Sequence, residues 1–171
     1  MNKRELQYLA KLPCSQRLSE FRTIEDTEQR RKTTAQVHEI LLKEWKRDTR
    51  WFGIAHHLVE EVHIHFRQMF TSLMQSDKVN IAKFKECNRM LHHHHSLEDS
   101  YWFPNLKRLH PEFIDEIDIL EKDHKELVRL EKKVVNGDHQ ALLEFCNGLL
   151  DHLNREEMIS VPFLMDGSGG L

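Results

Sequence analysis

The chain has 171 residues, 39% hydrophobic and 31% charged, enough for one domain with a real core and short for two. Its 25 basic and 28 acidic residues leave a formal net charge of −3, which gives no footprint for nucleic acid or an anionic membrane. Three widely spaced cysteines, Cys14, Cys87 and Cys146, supply neither a disulfide framework nor a thiolate zinc site, whereas histidine stands out at 13 residues. The polar start Met-Asn-Lys-Arg-Glu has no signal-peptide core, and no apolar run reaches the roughly 18–20 residues of a membrane helix. A reducing cytoplasm is the expected location.

Glycine and proline are scarce, and apolar residues recur at spacings of three and four, so the chain reads as all-α. Residues 1–50 are charged and weakly amphipathic, broken near Pro13, and read as an N-terminal helical extension with no chemistry of its own. His38, in a polar stretch of that region, is read as a non-ligand. A first bundle helix is expected from about Trp51 to Gln75, and a second, capped by Ser76-Asp77, over about 78–108. After His110-Pro111 a third runs to about Val135. Asn136-Gly137-Asp138 then ends one helix and caps the next, which runs to about Met165. Short connections between four apolar stripes make 51–166 an antiparallel four-helix bundle, with 167–171 as a flexible tail.

The second and fourth helices repeat each other. His94-His-Ser-Leu-Glu98-Asp aligns without a gap on His152-Leu-Asn-Arg-Glu156-Glu, and proline follows each histidine by ten residues, at Pro104 and Pro162. A histidine and a glutamate four apart share a helix face, so both side chains of each pair can reach one cluster. His63 precedes His94 by 31 residues and His124 precedes His152 by 28, so each half is one histidine helix followed by one HxxxE helix. Two such hairpins about a pseudo-twofold axis bring His63, His94, His124 and His152 together with Glu98 and Glu156.

The surrounding residues agree. Val59, Phe66 and Phe70 share the stripe of His63, and Phe84, Leu91, Leu97 and Tyr101 that of His94. Ile117, Leu120, Leu127 and Val128 accompany His124, and Phe145, Leu149 and Ile159 accompany His152. Burying an unpaired polar group costs about 1–3 kcal/mol, so four buried imidazoles and two buried carboxylates need a shared cause, and a metal pair is one. Imidazole and carboxylate without thiolate suit iron or manganese better than structural zinc.

A lone histidine on an apolar face is usually a hydrogen-bonded core residue; six residues in a matched repeat weigh the other way. His92 and His93 read as solvated. His95 stays open, with a supporting hydrogen bond to a ligand as one reading. Asp99 and Glu157 read as outward or supporting groups, and Tyr101 and His56 as packing and surface residues.

Over 51–165 these residues resemble the hemerythrin-like (HHE cation-binding) domains. The resemblance rests on His63 with Phe66-Arg67, His94-His-x-x-Glu98-Asp with Phe103-Pro104, Asp123-His124, and His152-Leu-x-x-Glu156-Glu with Pro162. It implies a non-haem centre of two iron ions, bridged by an oxo or hydroxo group and by Glu98 and Glu156, with the four histidines as terminal ligands. It also implies O2 or a related small molecule as ligand. Oxygen carriers of the family use five histidines, two of them spaced HxxxH on the third helix, but here Leu120 and Val128 flank His124 at that spacing. The fifth nitrogen is then missing or replaced, with His56, Glu121, Tyr101 or water as candidates. The carriers' spacing would select Glu157 as second bridge, whereas the internal repeat selects Glu156. The expectation is a protein that binds or senses O2, peroxide, NO or iron, not a bulk oxygen carrier. The alternatives are a di-iron enzyme consuming peroxide or NO, and a metal-stabilised interaction module that docks a protein partner through 1–50.

Overall fold

The computed structural model describes all 171 residues, and they form helices joined by short turns, with no strand. The extension is three helices: α1 (Lys3–Lys11), α2 (Cys14–Arg22) and α3 (Thr27–Trp45). Asn2 and Glu5 close a capping box on α1, and Asp26 accepts from the Gln29 amide at 2.6 Å to start α3.

Four longer helices follow. α4 spans 54–73 as Ile54–His56, a π-helical stretch His57–His63, and Ile64–Leu73. α5 spans 81–109 as Ile81–Leu97, a π-helical stretch Glu98–Trp102, and Phe103–Leu109. α6 (Ile114–Val134) and α7 (His139–Asp166) complete the set. Each packs on its sequence neighbour, and α7 returns against α4, so the four close a ring. α3 lies along the outside of α7 and also holds α1. The all-α reading holds. No helix is long and apolar enough to cross a membrane.

Local expectations fared unevenly. Gly137 takes φ 88° and Asp138 caps α7 through the Ala141 amide at 2.9 Å, as the Asn-Gly-Asp signal requires. The second bundle helix starts later than Ser76-Asp77 suggests, because Asn80 is the residue whose side chain accepts from the Lys83 amide at 3.0 Å. Leu97, Tyr101 and Val128, placed on the core stripe, are exposed at 54%, 61% and 41%. For Tyr101 the reason is a change of helical period in α5 at Glu98, whereas Leu97 and Val128 lie in regular α-helix at the edge of their stripes. The tail is tied down rather than free: Trp102 Nε1 donates to the Gly169 carbonyl and Asn105 Nδ2 to that of Gly170, both at 2.7 Å.

The core is two apolar clusters. One gathers Val59, Trp102, Phe103, Ile117, Leu120, Met158 and Ile159 with residues of α1 to α3; the other gathers Phe66, Phe70, Phe84, Leu91, Leu127, Phe145, Leu149 and Leu153. On every bundle helix the chain crosses from one cluster to the other, and at each crossing it carries histidine or glutamate: His63, His94 to Glu98, His124, and His152 to Glu156. The polar layer is fixed by where these residues interrupt each stripe.

Candidate metal centre

All six residues selected from the repeat meet in that layer, together with His95. The donor atoms of His63, His94, Glu98 and Glu156 lie within 4.8 Å of one another, and so do those of His95, Glu98, His124 and His152. Glu98 belongs to both groups. Its Oε1 is 2.9 Å from His94 Nε2 and its Oε2 is 3.5 Å from His124 Nε2. Glu156 spans the layer in the same way, with Oε1 3.6 Å from His63 Nε2 and Oε2 3.6 Å from His152 Nε2. Each carboxylate therefore offers one oxygen to each half.

The inner atoms lack partners of their own. Both oxygens of Glu98, both of Glu156, and His95 Nε2 are buried without a hydrogen bond. A buried unsatisfied acceptor costs about 1–3 kcal/mol, and five in one place exceed what packing explains.

The outer ring nitrogens are, by contrast, well supplied. His63 Nδ1 faces Glu157 at 2.8 Å, His124 Nδ1 faces Asp99 at 2.8 Å, and His152 Nδ1 faces Asp123 at 3.2 Å. A carboxylate accepts, so each Nδ1 carries the proton and each Nε2 turns a lone pair inward. His124 Nε2 and His152 Nε2 then confront each other at 3.1 Å with no proton to share. A cation between such groups removes both the lone-pair repulsion and the orphaned carboxylates, so the donor set fits a pair of metal ions.

Burial sets the protonation of these groups. It pushes His94 down to about 4, with His93 adding to the effect, and drives His95 and His152 well below the ordinary imidazole value. It also pushes Glu98 and Glu156 well above the ordinary carboxylate value. Glu157 goes the other way. Burial alone would raise it, but hydrogen bonds from His38 and His63 and the charge of Arg67 outweigh that and hold it well below the carboxylate range. Arg67 reaches Glu157 at 2.6 Å, and Arg155 braces Asp123 at 2.5 Å.

Several residues left open now have places. Glu156 points inward with unpaired oxygens, while Glu157 stands behind His63. His95, left open with a supporting role as one reading, is 7% exposed and stacks on His124 at 3.8 Å between ring centroids. Five imidazoles thus line the layer, one more than the repeat selects. The signal was present, since His95 stands three residues before Glu98 and i,i+3 shares a helix face as i,i+4 does. None of the other candidates for a fifth donor joins the layer: Tyr101 is 61% exposed, Glu121 binds Lys107 at 2.6 Å, and His56 faces Glu61 at the surface at 3.6 Å. His38, read as inert, is 2.5 Å from Glu157. A surface cavity lined by His92, His95, Ser96, Asp99, His124, Lys125 and Val128 leads from solvent to the outer edge of the layer.

Residues 54–164 match the family model described as the hemerythrin HHE cation binding domain. The chain belongs to that family, a family of cation-binding helical bundles. No curated protein and no solved structure matches it in the corresponding comparisons.

Proposed function

We propose that this protein is a non-haem di-iron protein that binds or senses O2, peroxide or NO. The observation that carries the reading is the set of five buried, unpartnered donor atoms framed by imidazole lone pairs. In this reading His63 and His94 would hold one ion, His95, His124 and His152 would hold the other, and Glu98 and Glu156 would serve both. Two iron ions, when bound, supply electron transfer and a coordination position that a small molecule can take.

The chain's own residues do the rest. The unequal nitrogen count makes the His63–His94 half the one with room for a ligand. The carboxylates of Glu157, Asp99 and Asp123 accept from Nδ1 of three of the imidazoles and strengthen Nε2 as an electron donor toward a metal, which would stabilise a higher oxidation state. That favours a centre altered by O2 or peroxide over one that carries O2 reversibly in bulk. With five imidazoles in the layer, nitrogen poverty no longer argues against carriage; the carboxylates behind three of them do. Phe66 at 5.1 Å from His94 and Phe103 at 5.5 Å from His124 line the layer with apolar rings and limit water.

Elemental analysis with an optical spectrum, on protein produced with iron, tests the reading. Two irons per chain, with charge-transfer bands that change on anaerobic reduction and return with O2, are expected. Absence of bound metal, or a single zinc, overturns it. Steady consumption of added peroxide would make the protein an enzyme rather than a sensor.

A further inference from the structure

His38 lies in α3, outside the residues that match the family, yet it touches the support of the proposed centre. The Glu157 carboxylate is fully buried and divides its two oxygens between different partners. Oε1 accepts from His63 Nδ1 at 2.8 Å and from Arg67 at 2.6 Å, whereas Oε2 has His38 Nε2 at 2.5 Å as its partner. The His38 ring is itself fixed, 7% exposed and edge-on to Trp45 at 6.0 Å between centroids. α3 packs along α7, the helix that carries Glu157, so the contact belongs to a packed interface and not to a loose side chain.

We infer that His38 is a positioning residue of the metal centre, acting through Glu157 to hold His63 in the tautomer that turns Nε2 inward. This rests on the reading proposed above. A carboxylate held by donors on both oxygens has one orientation, and that orientation keeps the proton on His63 Nδ1. Without the donor at Oε2 the carboxylate is free to turn toward Arg67 alone, and His63 can place its proton on Nε2, where it blocks a metal. The N-terminal helices then form part of the centre rather than an appendage to it.

Two variants separate the hydrogen bond from the volume of the ring. H38Q keeps a donor of similar reach, and H38M fills the space without one. Nitrogen-edited NMR of the metal-free protein reports the His63 tautomer, and competition with a chromogenic chelator reports ferrous affinity. H38M is expected to mix the His63 tautomers and to weaken binding of one ion of the two by about 10- to 100-fold, while H38Q stays near wild type. If both variants match wild type, or both are impaired alike, the inference fails, because the effect is then absent or is one of packing. If wild-type protein binds no iron, the proposed function fails instead, and the tautomer measurement still decides the role of His38.

Discussion

The two hairpins of the bundle carry the same pattern of histidines and glutamates, and the polar layer departs from that symmetry at two positions. Aligning His94 on His152 and His63 on His124 pairs Glu98 with Glu156 and Asp99 with Glu157. The supporting carboxylates obey that symmetry: Asp99 on α5 backs His124 of the second hairpin, and Glu157 on α7 backs His63 of the first. The departures are His95, which aligns on Leu153, and Asp123, which aligns on Val62. Leu153 is fully buried among apolar side chains, while His95 turns into the polar layer. Asp123 supports His152, and Val62 leaves His94 without a carboxylate. In the proposed centre these two departures make one half richer in nitrogen and carboxylate support than the other.

The comparison can be broken most severely at the residues that serve both halves. In the proposed centre E98A or E156A removes an oxygen from each metal, and elemental analysis should find both ions lost. H95L rewrites the rich half in the image of the other. It should cost one ion of the two, or weaken it about 10- to 100-fold, with the second ion retained. D123V copies Val62 and deprives His152 of its partner. It should reduce affinity toward the lower end of that range, with Arg155 still held by Asp151.

Two smaller effects sharpen the picture without mutation. Glu98 and Glu156 are raised in the metal-free protein, so they keep protons at pH values where ordinary carboxylates have lost them. The stability their raised folded values contribute is fully present below the ordinary carboxylate range and is lost as pH rises from there through the folded values. A cation displaces these protons, so metal affinity should rise with pH, with proton release measurable by calorimetry in buffers of different ionisation enthalpy. Because His94 is depressed to about 4, a proton on that imidazole opposes binding only toward acid pH. Chelation should lower Tm in a scanning experiment. One ion at a hundred times its Kd contributes about 2.7 kcal/mol, about 5–10 °C for a chain of this size.

Much of this was legible in the residues themselves. Helical periodicity gave the all-α class, Gly137 and Asp138 gave a helix junction, and the HxxxE repeat selected six residues that the structure brings together. The parts that stayed hidden have a common physical cause. A repeat points to what two halves share, and His95 is what they do not share. The π-helical stretch at Glu98–Trp102 shifts the helical period beyond Glu98, so stripe counting from His94 misplaces Tyr101. His38 is separated from Glu157 by 119 residues, and no local pattern marks such a contact.

The polar layer has one more consequence, for how the molecule comes apart. Two apolar clusters lie on either side of it, and every bundle helix crosses it. Without a cation that layer is a belt of buried imidazoles and carboxyls with only the protons of Glu98 and Glu156 to share among them, the weakest cross-section of the bundle. Each cluster then has reason to melt on its own, and calorimetric and van't Hoff enthalpies should diverge. With cations in place the belt becomes a rivet, and the molecule should unfold as a single cooperative unit.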